Sequence, residues 1–289
     1  MANSIALSKV YTNLLDEVYQ QSALTAVLES DASLARQGAN ANEIVIPKLS
    51  MDGLADYSRN SGYVNGDVTL NWETVQFNYE RGRMFSVDNM DNEETQNIAF
   101  GRLAGEFIRT KVVPELDAFR FATYAATTGA GTATGALATG ADVIAALRTA
   151  TSAMDEAEVP MEDRHLFITP TLLGPVEDMD TTKSKEVLAR FASITKVPQT
   201  RFYSVIELLD GKSSGEEKGG YKKAELGVEL NFEIIHKPAV LQFTKHAVPK
   251  VISPEMNQDA DAWKYGYRNY GLCDTYENKV AGIYVHKRS

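Results

Sequence analysis

The sequence has one cysteine, Cys273, among 289 residues. An intrachain disulfide is therefore excluded, and the reducing cytoplasm is the compartment expected. Long apolar runs are missing too: no uninterrupted stretch approaches the roughly 20 residues that span a bilayer, so no membrane partner is expected. A secretory signal is excluded because Asp16 and Glu17 stand where its apolar core would lie. Positive charge is in short supply. The 29 basic side chains are outnumbered by 39 acidic ones, for a formal net charge of −10. Such a chain has no global attraction to nucleic acid or anionic lipid, and no basic stripe marks a dedicated DNA binder. A container that holds DNA without gripping it fits this balance, as do most cytoplasmic enzymes.

Catalytic and ligand-binding motifs are also lacking. The four histidines, His165, His236, His246 and His286, fall in or beside predicted strands, and none belongs to a His-Glu-x-x-His pair. Cys273 has no neighbouring cysteine with which to hold zinc. Gly211-Lys212-Ser213 resembles the end of a phosphate loop, but Ile206 stands where the required first glycine would be, and no helix follows to bind the anion. The same stretch spells Gly-x-Ser-x-Gly at Gly211, Ser213 and Gly215, yet Glu216 to Gly220 read as a mobile loop rather than the start of a helix. Gly129 and Gly131 are followed by Thr134 where a dinucleotide fingerprint needs a third glycine. No catalytic residue, metal site or cofactor is expected.

What is present is an ordinary folded composition, 44% hydrophobic and 24% charged, in a chain long enough for one large domain or two small ones. Residues 4–29 place Val10, Tyr11, Leu14, Leu15, Val18 and Tyr19 at helical spacing, which predicts an amphipathic helix. It packs either on its own domain or, as an arm, on a neighbouring subunit. Glu43–Pro47 reads as a short strand. Gly, Asn, Asp and Ser then dominate up to Asp67, with Tyr57 and Tyr63 interspersed and a turn signal at Asn65-Gly66-Asp67. Val68, Leu70 and Trp72 alternate on one strand face, whereas Val75, Phe77 and Tyr79 occupy the other. That phase flip requires a bulge or a change of packing partner. Residues 48–80 are therefore expected to form a two-stranded ribbon with arms on the order of 40 Å long. An isolated ribbon is marginal in water, so its outer half needs another surface, for which a neighbouring subunit is the natural candidate.

A long helix is expected over 93–126, capped by Asp91 or Asn92 and kinked or restarted at Pro114. Residues 128–141 read as a low-complexity connector. A mixed α/β region follows, with helices over 141–157 and about 171–179, and strands at Arg164–Thr169, Arg201–Leu209 and Asn231–Lys237. Residues 210–223 read as a charged, glycine-rich loop. Short strands Val240–Phe243 and Val248–Ile252, an alternating Trp263, Tyr265, Tyr267, and Ala281–Val285 close the chain.

Three stretches carry a resemblance to a known family: Thr110-Lys-Val-Val-Pro-Glu-Leu-Asp-Ala-Phe119 in the long helix, Asp163-Arg-His-Leu-Phe-Ile-Thr-Pro170, and the tail. The tail comprises His246 to Pro254, Asp261-Ala-Trp-Lys-Tyr-Gly-Tyr-Arg268, and Glu277-Asn-Lys-Val-Ala-Gly-Ile-Tyr-Val-His286. Together with the order of elements over nearly the whole chain, they resemble the Hong Kong 97-type major capsid proteins of tailed bacteriophages. The resemblance implies an α+β fold with an N-terminal arm (1–42), an extended loop and peripheral domain with a spine helix (43–139), an axial domain (140–237) and return strands to the peripheral domain (238–289). The loop 210–223 becomes a candidate for the tip near the capsomer centre. Val10, Leu14, Val18, Tyr57, Arg59, Tyr63 and Trp72 become the candidate subunit interface.

The implied function is a self-assembling, non-enzymatic shell of hexamers and pentamers enclosing double-stranded DNA, which it touches weakly and non-specifically. It would assemble in the host bacterial cytoplasm with a portal. The chain starts directly with the arm, where some members carry a scaffolding segment, so a separate scaffolding protein or an already matured chain is expected. Some members cross-link a lysine of the extended loop to an asparagine of a neighbour. No lysine falls between Lys48 and Lys111, and Arg59 at the ribbon tip cannot serve as that amine nucleophile. A non-covalent shell follows. Two other readings stay open: an encapsulin-like nanocompartment of the same fold around a cargo enzyme, and a soluble α/β enzyme.

Overall fold

The computed structural model describes residues 23–30, 36–37, 42–60, 62–94, 98–179 and 181–289. Strand β1 (Arg36–Gln37) pairs with β2 (Glu43–Met51), which pairs antiparallel with β3 (Val68–Gln76). The β2–β3 pair is the expected ribbon. It begins earlier than residue 48 and ends at Gln76, because Phe77-Asn78 separates it from β4 (Tyr79–Asp88). Each arm has nine residues, about 30 Å at the usual rise of a strand.

The register runs unbroken from Glu43 opposite Gln76 to Met51 opposite Val68, so the phase flip is not a bulge. It is a change of packing partner. Residues directly opposite share a face. Ile44, Ile46 and Val75 turn one face of the root onto Leu241, Phe243 and Leu272. Farther out the apolar residues switch to the other face, where Pro47 lies opposite Trp72 and Met51 opposite Val68. The turn also differs from expectation. Ser58 and Gly62 bridge at the tip, with Gly62 at φ +77°, while Asp67 is tied back to the Asp52 carboxylate by its N–H at 2.8 Å.

Helix α1 (Asn89–Glu94) starts before Asp91 and Asn92, and the Asp88 carboxylate accepts the Met90 N–H at 2.9 Å. Helix α2 (Ile98–Phe107) continues through a π-helical turn, Ile108–Val112, into α3 (Val113–Ala125). Pro114 cannot donate a backbone bond. The chain widens by one residue just ahead of it, with the Val113 N–H reaching Ile108 O, and the helix continues instead of stopping.

The connector holds a strand that composition concealed: β5 (Gly131–Thr134) runs parallel to β13 (Ile283–Lys287). Gly131 is required there, since a Cβ would lie 2.5 Å from the Tyr284 ring. Then come α4 (Gly140–Glu156), β6 (Arg164–Ile168), α5 (Pro170–Met179), α6 (Thr182–Leu188) and β7 (Ser193–Lys196). They are followed by β8 (Ile206–Leu209), β9 (Gly220–Lys223) and β10 (Leu230–His236). A five-stranded sheet, in order β5-β13-β10-β6-β7, forms the middle of this region. Val143, Leu147, Ala150 and Met154 of α4 cover one face, against Leu166, Ile168, Phe232 and Ile234. Phe121, Tyr124 and Ala125 of α3 cover the other, against Phe167, Ile235 and Val285. Every residue of β6 and β10 is consequently buried, although β10 alternates apolar Leu230, Phe232 and Ile234 with polar Asn231 and Glu233 as a half-solvated strand would.

The two short strands expected near the C-terminus are one, β11 (Val240–Ile252), irregular between Thr244 and His246. Pro249 is tolerated because β11 is the edge of the sheet β11-β12-β4, with β12 at Ala262–Thr275. N-terminal β4 and the late strands thus share a sheet around the insert, as the sequence suggests. The final strand departs from that scheme: β13 joins the sheet of the insert, so residues 238–289 divide between two sheets.

Candidate assembly surfaces

The outer half of the ribbon presents apolar side chains to solvent: Met51 is 63% exposed, Val68 70%, Leu70 52% and Trp72 45%. At the tip the Tyr57 and Tyr63 rings meet at 4.8 Å, Arg59 lies in the turn between Ser58 and Gly62, and Leu54 and Val64 are exposed. Four of the candidate residues therefore lie on the ribbon, with Tyr57, Arg59 and Tyr63 together at its tip and Trp72 on its outer arm. Val10, Leu14 and Val18 lie outside the described residues. Sequence reasoning missed Met51, Leu54 and Val64. They stand in a polar stretch without periodicity, and only the register with β3 shows where Met51 faces.

The end of the expected N-terminal helix is different in kind. Ala23 is extended, at φ −56° and ψ 118°, and the described helical piece is a single 3₁₀ segment, Leu24–Leu28. Its free N–H groups are met by a buried carboxylate. Asp117 of α3 accepts Leu24 N–H at 3.1 Å, Thr25 N–H at 3.2 Å and the Thr25 hydroxyl at 2.8 Å. Arg201 pairs with the same carboxylate at 3.0 Å. Gln242 donates to Thr25 O and to the Glu29 carboxylate, both at 2.9 Å, and accepts from Tyr124. The 3₁₀ segment is thereby fastened to α3, to the turn that precedes β8 and to β11.

Residues 210–223 are a hairpin rather than a mobile loop, for β9 pairs antiparallel with β8. The strand expected from Arg201 begins only at Ile206, after a 3₁₀ turn at Gln199–Arg201. The hairpin is fastened to β4 of the β11-β12-β4 sheet. Arg81 donates to Leu209 O at 2.7 Å while pairing with Glu115 at 2.7 Å, and Arg83 donates to Glu217 O at 2.9 Å and Lys218 O at 3.1 Å. The Asp210 carboxylate accepts the Ser213 hydroxyl and the N–H groups of Lys212 and Ser213, which lowers its pKa to about 2. Ser213 is thus a turn residue in a β-hairpin, not a serine on a strand-to-helix elbow.

Two of the four histidines have structural partners. His165 Nδ1 lies 2.7 Å from the Ser193 hydroxyl, and the His286 ring stacks on Phe232 with Nδ1 3.0 Å from Asn231. Burial lowers the pKa of both rings. Burial also pushes the Cys273 thiol up to about 12. Among the described residues no three His, Cys, Asp or Glu side chains are grouped to hold a metal ion, and no helix is long and apolar enough to cross a membrane.

Solved structures share this arrangement. The capsid of cyanophage P-SCSP1u matches with a TM-score of 0.64 at 12% identity, over 98% of this chain and 93% of that one. The mature capsid of bacteriophage PhiM1 matches with a TM-score of 0.64 at 11% identity, over 98% and 92%. A virus-like particle from Pyrococcus furiosus matches with a TM-score of 0.50 at 11% identity, over 82% and 86%. No protein-family profile and no curated protein matches the sequence. At such identities the likeness is one of fold. The chain is an α+β protein of the class built from ribbon, spine helix and central insert. That architecture is the Hong Kong 97-type fold.

Proposed function

We propose that this protein is the major capsid protein of a tailed double-stranded-DNA phage. It forms hexamers and pentamers of an icosahedral shell in the host cytoplasm, with a scaffolding protein and a portal as partners. The observation that carries the reading is the ribbon: nine-residue arms whose outer half exposes Met51, Val68, Leu70 and Trp72. Contiguous exposed apolar surface of this kind marks a protein contact. Tyr57, Arg59, Tyr63 and Trp72 are proposed to lie in the contact between copies, as are Val10, Leu14 and Val18 of the arm. The shell works by association and has no catalytic step. The acidic balance of the chain supports loose, non-specific contact with packaged DNA.

The likeness to the Pyrococcus furiosus virus-like particle favours a second reading, a nanocompartment around a cargo enzyme. Expression of the full chain, followed by negative-stain microscopy and analysis of particle contents, tests both. Closed shells that take up DNA support the phage reading. Shells that co-purify with one folded protein cargo and exclude DNA support the second. Small oligomers with a measurable turnover contradict both.

A further inference from the structure

The sequence contains the dipeptide Asn-Gly once, at Asn65-Gly66. It lies just ahead of β3 in the outer part of the ribbon, where residues 63–67 belong to no helix or strand. Both residues are exposed. Neither the Asn65 carboxamide nor the Gly66 N–H has a hydrogen-bond partner among the described residues. A backbone nitrogen and the carboxamide of the preceding side chain are thus both free to react with each other.

Their reaction closes a succinimide ring. The Gly66 nitrogen attacks Asn65 Cγ and a C–N bond forms. The carboxamide nitrogen leaves as ammonia, taking the proton that the Gly66 N–H gives up. Water then opens the ring at either carbonyl. One opening gives aspartate. The other gives isoaspartate, which lengthens the main chain by a methylene. Water is the only co-reactant.

A folded chain ordinarily blocks this attack. A Cβ on the following residue crowds the carboxamide and restricts the backbone, and glycine alone lacks it. Helices and strands engage the N–H in their own hydrogen bonds. Every other asparagine precedes a residue with a Cβ. Several are held as well: Asn78 donates to Cys273 O at 2.7 Å, Asn231 to Gly135 O at 3.0 Å and Asn257 to Ala262 O at 2.9 Å. Asp210-Gly211 could close the same ring, but its carboxylate is held by the Ser213 hydroxyl and by the N–H groups of Lys212 and Ser213.

We propose that Asn65-Gly66 is a self-modifying site, which converts to aspartate and isoaspartate in the unassembled chain and loosens the ribbon there. The two arms are tied together beside it. Asp52 N–H donates to Asp67 O at 3.1 Å, and Asp67 N–H donates to the Asp52 carboxylate at 2.8 Å. A new carboxylate next to these two adds like charge across the pair. The extra methylene of isoaspartate displaces Asp67 from the pairing. The reaction needs no neighbouring copy, so it stands apart from the shell reading.

The experiment incubates the purified, unassembled chain at mildly alkaline pH. Peptide mass mapping reads the loss of the amide, and labelling by a protein-isoaspartate methyltransferase reads the isomer. Asn65 should lose ammonia and give both products, while Asn71 and Asn78 keep their amides. Gly66→Ala should slow the loss several-fold. That variant should fold, because its Cβ would meet nothing closer than Asp52 Cβ at 3.6 Å, and Gly66 does not have a positive φ. Protease cleavage within residues 52–67 should quicken in the aged wild-type chain but not in Gly66→Ala aged in parallel. An Asn65 that keeps its amide in the folded chain, while the denatured chain loses it, would overturn the proposal by showing that the ribbon protects the site. Equal loss in Gly66→Ala, or equal loss at Asn71, would also overturn it, since the reaction would not then depend on the glycine. A fully converted ribbon that is cut no faster than a fresh one would contradict the loosening.

Discussion

The carboxylate of Asp117 and the guanidinium of Arg201 meet at 3.0 Å, with side chains 0% and 4% exposed. One belongs to the spine helix and the other to the 3₁₀ turn that precedes the hairpin. Because the same carboxylate also receives Leu24, Thr25 and the Thr25 hydroxyl, a single buried anion joins three separate parts of the chain.

Removing that anion takes the acceptor from three donors and an ion-pair partner from the buried Arg201. Asp117→Ala should cost about 3–5 kcal/mol, the usual penalty for breaking a buried pair on one side. Denaturant unfolding of the unassembled chain measures it. Thr25→Val, which removes one hydroxyl from the cluster, should cost only about 1–2 kcal/mol. A truncation ending at residue 22 keeps the cluster whole, whereas one ending at residue 36 deletes Leu24 and Thr25. The second should therefore melt at lower temperature than the first, by calorimetry. Equal melting temperatures would show that the cluster does not carry the arm root.

Glu233 lies on β10, fully buried, and neither carboxyl oxygen has a hydrogen-bond partner among the described residues. Burial raises its pKa well above the ordinary carboxylate value, with Lys287 opposing weakly. Between the unfolded value of about 4.3 and that raised value, the folded state binds a proton that the unfolded state does not. Stability is therefore fully present below about pH 4 and declines as pH rises. Glu233→Gln removes this dependence. The variant should gain on wild type between pH 5 and pH 8 in parallel melting curves. A pH-independent difference would contradict a neutral buried acid.

The two ribbon faces should respond oppositely to the same substitution. Ile46, 4% exposed, packs at the root, so Ile46→Ser should destabilise the unassembled chain on the order of 3 kcal/mol. Val68→Ser with Leu70→Ser should leave its stability within about 0.5 kcal/mol, as surface changes do, while depressing assembly. Circular dichroism melting and particle counts separate the two effects.

Lys48 is the lysine nearest the ribbon tip, and it is engaged. It pairs with Glu277 at 2.7 Å, and that hydrogen bond raises its pKa. No lysine follows before Lys111. Denaturing gels of mature particles should show a single monomer band, and a ladder of covalent oligomers would contradict non-covalent closure.

Much of this architecture was legible in the residues. The alternation of Val68, Leu70 and Trp72 marked the ribbon, and its phase flip marked the point where one face leaves the core. Helix α4 was readable over 141–157, and the Thr139–Asp142 capping box sets its start at Gly140. Strand β5 was not, since Gly131 to Thr134 carry no strand signal and find their partner, β13, only at the far end of the chain. The hairpin at 206–223 was hidden for a different reason: two arginines from β4, more than 120 residues away, hold it down. Asp117, Arg201 and Thr25 carried no local motif, because what unites them is the tertiary fold.

The most direct measurement is electron microscopy of this chain, expressed with the proposed scaffolding protein and sized by sedimentation. Closed icosahedral shells built of hexamers and pentamers are the expected result. A chain that stays monomeric or forms only small oligomers under those conditions, with its ribbon left in solvent, would contradict the assignment.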